Sequence, residues 1–138
     1  MKRKWRICLA KQIFASEDRR PLTPIGAYKE IIDQLATETS VGISERLVLE
    51  HGIFSKAQDD EEPNSFVQSL STEERRTLSQ MLHAERISAI GDVLATLEWW
   101  IVSRGVGLSY RGEPMPTQFA EGISADYVGR LDDWEWPS

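Results

Sequence analysis

The most regular pattern of hydrophobic and polar positions runs from residue 71 to about residue 103 and predicts one long helix. Ser71 can accept a hydrogen bond from a backbone N–H of the first turn, and Glu74 has the spacing of a capping-box partner. The next proline is Pro114, and Gly105 marks the expected end. At 1.5 Å per residue this helix is roughly 50 Å long, so we expect the other elements to pack around it.

One broad face of this helix is predicted to be apolar. Its members are Leu78, Leu82, Ala89, Ile90, Val93, Leu94, Leu97, Trp100 and Ile101. Apolar residues also occur on the opposite side, namely Met81, Ala84, Ala95 and Trp99. A helix that is apolar nearly all round is buried by several neighbours or by a second subunit. The pattern therefore leaves two alternatives, a core helix and a homodimer surface that uses Met81 and Trp99.

Polar residues interrupt the predicted apolar face. Arg86 projects near its centre, with His83 beside it. A buried guanidinium costs several kcal/mol unless a carboxylate and hydrogen bonds meet it, so Arg86 predicts an acidic partner or a bound anion. Glu85 and Asp92 lie together along one edge of the face. Gly91 costs about 1 kcal/mol relative to alanine in mid-helix, which favours close approach by another segment there.

The rest of the pattern predicts shorter helices and an irregular tail. Helices are expected at 25–38, at 44–51 with Ser44 as its cap, and at 65–70 with Asn64 as its cap. Residues 106–111 are expected to be extended, and residues 112–116 to form a rigid, polyproline-like corner. The predicted fold is mainly α, a compact helical bundle around the long helix with an irregular C-terminal tail packed on it.

Tryptophan is concentrated near the C-terminus. Trp99, Trp100, Trp134 and Trp136 are four of the five tryptophans in the chain. Because large aromatic side chains supply much of the buried area in a core, we expect the tail to fold onto the end of the long helix and to cover Trp99 and Trp100.

Charge divides the chain into a basic arm, residues 1–20, and a single helical domain, residues 21–138. The arm carries seven basic and two acidic side chains, net +5, whereas the remainder carries nine basic and twenty acidic ones, net −11. An acidic body repels nucleic acid, so only the arm could bind phosphates. Trp5, Cys8, Leu9 and Ile13 have helical spacing. The arm could contact a membrane surface or an anionic partner, dock on the acidic body as a short helix, or remain a poorly ordered extension.

Cysteine content and hydropathy favour a cytoplasmic protein. Cys8 is the only cysteine, which excludes an intrachain disulfide and any multi-cysteine metal site. No apolar run approaches the roughly 20 residues needed to span a bilayer, and no secretory signal precedes the domain. We therefore expect a protein without a membrane partner.

Known catalytic motifs are absent, and the candidate site is a cluster of charged and aromatic residues. The sequence has no Gly-rich phosphate loop and no nucleophile elbow. His51 and His83 with Glu85 and Asp92 are too scattered to predict a metal site, so no metal and no cofactor are expected. The candidate residues are His83, Glu85, Arg86, Asp92, Trp99, Trp100, Asp126, Tyr127, Arg130, Trp134 and Trp136. They could form a closed ion-pair network or a tryptophan-lined pocket where the helix meets the tail.

Four segments carry a resemblance to known sequences. They are 28–33 (YKEIID), 85–94 (ERISAIGDVL), 112–116 (GEPMP) and 126–137 (DYVGRLDDWEWP). The chain resembles a family of small bacterial proteins of unknown function, and its last two motifs are specific. The resemblance covers about residue 25 to the C-terminus and leaves the arm outside. It implies no activity and assigns no catalytic residue.

The function expected from these observations is non-enzymatic protein binding of an immunity or inhibitor type, because acidic surfaces can occupy basic active sites and steer association. The alternative is a small-ligand-binding protein or enzyme that uses a pocket at the helix–tail junction. The two hypotheses differ in structure. A ligand site requires a concave, tryptophan-lined pocket that holds unpaired charge, whereas a binding module requires paired charges inside and a flat or apolar patch outside.

Overall fold

The computed structural model describes residues 21–57 and 59–137, so the predicted arm, residues 1–20, lies outside the described residues. The elements are α1 (Pro24–Gln34), a π-helical turn (Leu35–Thr39), α2 (Ile43–His51), α3 (Glu61–Ser69), α4 (Thr72–Arg104), β1 (Ser109–Tyr110), β2 (Glu113–Pro114) and α5 (Ile123–Leu131). The prediction of a mainly α fold around one long helix is confirmed.

The long helix α4 begins and ends where its sequence predicts. Ser71 Oγ accepts from the Glu74 N–H at 3.3 Å, and the Ser71 N–H donates to Glu74 Oε2 at 2.7 Å, which completes the capping box. Hydrogen bonds from the side chain and the backbone of Ser71 hold the pKa of the Glu74 carboxyl below its ordinary value. Gly105 ends the helix in the left-handed conformation, with φ 68°. None of the described helices is both long and apolar enough to cross a bilayer.

The main core forms where α1, α4 and α5 meet. Its buried members are Tyr28, Ile32, Ala36, Leu94, Ile123 and Tyr127. Helix α1 contributes every fourth residue of one face, and the π-helical turn continues that face with Ala36. Against the opposite end of α4 packs α2, which buries Leu47 and Val48. Helix α4 is thus shared by two groups of neighbours along its length.

Two predicted helix caps are wrong. Helix α2 begins at Ile43, and its N-cap residue is Gly42 rather than Ser44. Glu45 Oε2, in the first turn, accepts from the Gly42 N–H at 3.1 Å. Asn64 lies inside α3, which begins at Glu61. Its Oδ1 instead accepts from the backbone N–H groups of Phe54 at 2.7 Å and Ser55 at 3.0 Å. The asparagine therefore fastens the loop after α2 to α3 instead of starting a helix.

The prediction of a polyproline-like corner at residues 112–116 is wrong for the first part of this segment, which belongs to a β-hairpin. Strands β1 and β2 pair antiparallel, with Tyr110 opposite Glu113. Arg111 and Gly112 form the turn with φ 52° and 84°, the left-handed geometry of a two-residue hairpin. Glycine at the second position allows this turn, so the extended segment folds back on itself.

The tail is less irregular than predicted, because residues 123–131 form α5. The predicted packing of the tail on the long helix is confirmed for α5, which contacts α4. Trp99 and Trp100 nevertheless remain 50% and 48% exposed, so the tail does not cover them as predicted. The end of α5 and the residues after it lie on α1, where Asp33 accepts hydrogen bonds from Arg130 and Trp136.

The predicted apolar face of α4 is covered only in part. Leu94 is buried, but Val93 is 67% exposed. Arg86 is exposed and donates to the backbone carbonyl of Thr39, so the expected buried acidic partner is absent among the described residues. A Cβ added at Gly91 meets no described atom within 4 Å, which contradicts the expected close approach. The actual neighbours cover a narrower strip than the sequence predicts.

Candidate functional site

Asp126 ties three parts of the chain together in the core. Its side chain is fully buried on α5. The carboxylate accepts from Tyr28 Oη at 2.6 Å and from the backbone N–H groups of Phe119 at 2.8 Å and Ala120 at 2.7 Å. Three short donors offset the desolvation of a buried negative charge. These hydrogen bonds link α1, the segment before α5, and α5 itself, and we call them the Asp126 clamp.

The environment of Tyr28 keeps its phenol neutral. Burial raises the pKa of Tyr28 well above its ordinary value, and the hydrogen bond to Asp126 raises it further. The negative charges of Asp126 and Glu98 act in the same direction. Tyr28 is therefore a permanent hydrogen-bond donor at neutral pH and not an acid–base group.

A second polar cluster fixes the tail on α1. Asp33 Oδ1 pairs with Arg130 Nε at 2.5 Å, and Trp136 Nε1 donates to Asp33 Oδ2 at 3.1 Å. Arg130 also donates to the backbone carbonyl of Trp134. Lys29 Nζ donates to the Pro137 carbonyl at 3.1 Å. Each charged group here has a partner, so the cluster is an anchor.

Aromatic contacts surround that anchor. The ring of Trp136 lies 6.1 Å from that of Tyr28 and 5.3 Å from that of Phe119, both in edge-on geometry. Lys29 Nζ lies 5.1 Å from the centroid of Phe119. Edge-to-face packing of this kind adds about 0.5–1.5 kcal/mol per pair beyond the area that it buries. These side chains fill the junction between the tail and α1.

Glu98 caps α5 from the neighbouring helix α4. Its Oε2 accepts from Ser124 Oγ at 2.6 Å and from the Ser124 N–H at 3.2 Å. A carboxylate at the positive end of a helix is stabilising. Gly122 lies so close to this carboxylate that an added Cβ would overlap it. An alanine at this position would force the Glu98 carboxylate to move away from its hydrogen bonds with Ser124.

The structure brings only part of the predicted site together. Asp126, Tyr127, Arg130, Trp134 and Trp136 gather around α5, the tail and α1. Tyr127 Oη donates to the backbone carbonyl of Ile87 on α4 at 3.5 Å. Burial raises the pKa of Tyr127, against the opposing charge of Arg86.

The α4 members of the predicted cluster point elsewhere. His83 Nδ1 lies 3.1 Å from Glu45 Oε2 on α2. Glu85 and Asp92 are exposed. The rings of Trp99 and Trp100 pack edge-on at 5.4 Å. Within the described residues, no three metal-binding side chains lie close enough to hold an ion.

Sequence reasoning missed four partners of these residues: Tyr28 and Asp33 on α1, Glu98 on α4, and Phe119 in the segment before α5. One signal could have found two of them. Tyr28 and Asp33 are the first and last residues of the segment 28–33, which belongs to the same resemblance as the segment 126–137. Motifs that occur together suggest contact between them, and the structure joins these two through Asp126 and Arg130.

A second region is left uncovered by the described residues, and we call it the outer face of α4. Its residues follow alternating spacings of four and three: Met81, Glu85, Ser88, Asp92, Ala95, Trp99 and Val102. Met81 is 64%, Trp99 50% and Val102 75% exposed. Asp92, Ala95, Thr96 and Trp99 line an open depression on this face. Spacings of four and three keep these residues on one side of the helix, as in a coiled-coil seam. Three of the seven positions, Glu85, Ser88 and Asp92, are polar, so the face is only partly apolar.

Comparison with known proteins gives one match. Neither the curated proteins nor the solved structures that were searched match this chain. A sequence model of a family of unknown function, DUF6547, matches residues 22–138. This range contains α1 to α5, the Asp126 clamp and the outer face of α4, and it excludes the basic arm. The chain therefore belongs to the DUF6547 family.

Proposed function

We propose that the protein is a non-enzymatic binding module whose outer face of α4 receives a basic, amphipathic helix of another protein. The observation that carries this proposal is the exposed seam from Met81 to Val102. The apolar part of this seam runs from Ala95 to Val102, and exposed large apolar side chains grouped on one face mark interaction sites on soluble proteins. An uncovered seam of coiled-coil spacing is satisfied best by a second helix.

The negative charge of the outer face of α4 favours a basic partner. Glu85 and Asp92 lie in the seam itself and are exposed. Residues 21–138 carry a net charge of −11, so the body attracts basic partners and accelerates their association. An immunity or inhibitor role in a bacterial cytoplasm, in which the module covers a basic surface of a second protein, agrees with this chemistry.

The helix–tail junction supports the alternative function less well. A ligand site there would need unpaired polar groups around an open space. Among the described residues, no buried side-chain nitrogen or oxygen lacks a hydrogen-bond partner. The clamp of Asp126 and the pair of Asp33 with Arg130 use their charges internally. We therefore assign the junction to stability and the outer face to binding.

Affinity purification followed by titration tests this proposal. A partner recovered with the native chain is purified and titrated against the native protein, Asp92→Lys, Val102→Glu and Leu49→Glu. The first two variants change the seam, whereas Leu49 is a matched control because it is 53% exposed on α2. We expect the seam variants to weaken binding about tenfold or more and the control to bind normally. Equal affinity of all four proteins would contradict the proposal.

A further inference from the structure

We infer that a groove between the start of α2 and the middle of α4 binds a free α-amino acid with an apolar side chain. The groove has a volume of about 360 Å³, which is at the small end of the range of roughly 300–1,000 Å³ for small-molecule sites. This inference goes beyond the proposed function, because the ligand is a small molecule and the groove lies beside the outer face of α4. Its apolar walls and two charges of opposite sign define the ligand.

The walls of the groove are apolar. Leu82 and Ala89 line it from α4, Ile43 lines it from α2, and Phe54 lines it from the loop after α2. Leu82 and Ala89 are seven residues apart, so they form one stripe along α4. Ile43 is 48% exposed, and covering its apolar surface with an apolar ligand is favourable. An aliphatic or aromatic side chain therefore fits this space.

Glu85 and Arg86 flank the stripe of Leu82 and Ala89 with opposite charges. Neighbouring residues of an α-helix point about 100° apart and do not face each other, so these two side chains lie on opposite sides of the stripe. Both line the groove, and both are exposed. The ion pairs among the described residues include neither of them. A ligand that carries both an ammonium group and a carboxylate can pair with both.

The Arg86 side chain is held in a fixed position by the segment before α2. Its Nε donates to the backbone carbonyl of Thr39. Its Cδ lies so close to Gly42 that a Cβ added there would come within 3.3 Å of it. Among the described residues, the two terminal nitrogens of Arg86 have no acceptor. A guanidinium binds a carboxylate through two parallel N–H···O bonds, so Arg86 is oriented to receive the carboxylate of the ligand.

Glu45 is the second carboxylate in the groove, and hydrogen bonds already fix it. Its Oε2 accepts from the Gly42 N–H at 3.1 Å and lies 3.1 Å from His83 Nδ1. Glu85 is therefore the carboxylate that can turn toward an ammonium group. A ligand with a single charge would meet only Glu85 or only Arg86, whereas an α-amino acid meets both and places its side chain on the apolar walls.

A nuclear magnetic resonance titration of the full-length protein tests the groove with four probes. L-leucine has all three features, 4-methylpentanoate lacks the ammonium group, 3-methylbutylamine lacks the carboxylate, and glycine lacks the side chain. We expect L-leucine to shift the amide resonances of Gly42, Phe54 and Ala89 with a Kd on the order of 1 mM. Each of the other probes should bind about tenfold or more weakly, because it leaves one feature of the groove unmatched.

Two outcomes of this titration would overturn the inference. One is the absence of shifts at these three amides with L-leucine at about 10 mM. The other is binding of any of the remaining probes as tightly as L-leucine, since one charge or the apolar walls would then contribute nothing.

Two neutral variants assign the contacts of the ligand. Arg86→Gln and Glu85→Gln should each weaken the binding of L-leucine about tenfold. Arg46→Gln and Glu50→Gln are matched controls at exposed positions of α2 that do not line the groove, and they should bind L-leucine normally. Equal affinity of all four variants would overturn the assignment. None of these results depends on the titration of Val102→Glu against the purified partner, so the groove and the outer face can fail separately.

Discussion

At the residue scale, one buried carboxylate decides how the C-terminal part of the chain folds. Asp126 is desolvated completely, and a lone charge in that position would be strongly destabilising. Its three donors come from α1 and from two consecutive backbone amides. The carboxylate therefore links the position of α5 to that of α1. The sequence shows an aspartate at position 126 but not its partners, since the contact with Tyr28 spans 98 residues.

Replacing Tyr28 by phenylalanine tests the clamp. The variant keeps the ring but removes the donor to Asp126, so we expect the free energy of unfolding to fall by about 1.5–3 kcal/mol. Tyr110→Phe is the matched control, because Tyr110 lies in the hairpin, and it should change stability by less than about 0.5 kcal/mol. Chemical denaturation measures both. Equal stability of the two variants would show that the Asp126 carboxylate does not need this donor.

The raised pKa of Tyr28 predicts a loss of stability at alkaline pH. The contribution of the neutral phenol is complete below the unfolded pKa of about 10. Above that pH the unfolded chain releases the proton while the folded chain retains it, so stability falls by up to about 1.4 kcal/mol per pH unit. The stability difference between the native protein and Tyr28→Phe should therefore narrow between about pH 9 and about pH 11. A constant difference over this range would mean that the phenol titrates normally when folded.

At the element scale, the helices differ in how much of their structure the sequence predicts. Local signals determine α4: Ser71 and Glu74 cap its start, and Gly105 ends it. The start of α5 has no side-chain cap of its own at Gly122, and Glu98 on α4 supplies the acceptor. A cap supplied by another helix leaves no local signal. For this physical reason the sequence predicts the long helix, whereas it does not predict α5.

Gly122→Ala tests the contact between α4 and α5. The added methyl group would overlap the Glu98 carboxylate, so we expect a loss of about 1–3 kcal/mol from overpacking. In a Glu98→Ala background, Gly122→Ala should lower the free energy of unfolding much less. The double-mutant cycle then gives the interaction energy between positions 122 and 98. Gly107→Ala is the control, since an added Cβ there meets no described atom within 4 Å. If Gly122→Ala and Glu98→Ala had additive effects on the free energy of unfolding, the close approach of Gly122 to the Glu98 side chain would be contradicted.

Two tryptophan variants test where the tail is anchored. Trp136→Ala removes the hydrogen bond to Asp33 and the contacts with Tyr28 and Phe119, so we expect a loss of about 2 kcal/mol or more. Trp99→Ala removes a half-exposed ring on α4 and should cost less than about 1 kcal/mol. Thermal unfolding of both variants gives the comparison. A larger loss from Trp99→Ala would restore the predicted docking of the tail on the end of α4.

At the scale of the whole molecule, the internal charges are paired and a partly apolar seam remains outside. The sequence showed that α4 is apolar on more than one side, but it could not show which side the other helices leave uncovered. That choice depends on α2 packing near one end and on α5 packing near the other. The remaining strip from Met81 to Val102 is the basis of the proposed binding function.

Site-specific photo-cross-linking in growing cells tests that claim most directly. A benzophenone side chain is placed at Val102, which is 75% exposed on the outer face, or at Leu49, which is 53% exposed on α2. A binding surface at α4 predicts a discrete adduct with one other protein from position 102, its loss on adding Asp92→Lys, and no such adduct from position 49. Adducts of equal yield from both positions, or none from position 102, would contradict it.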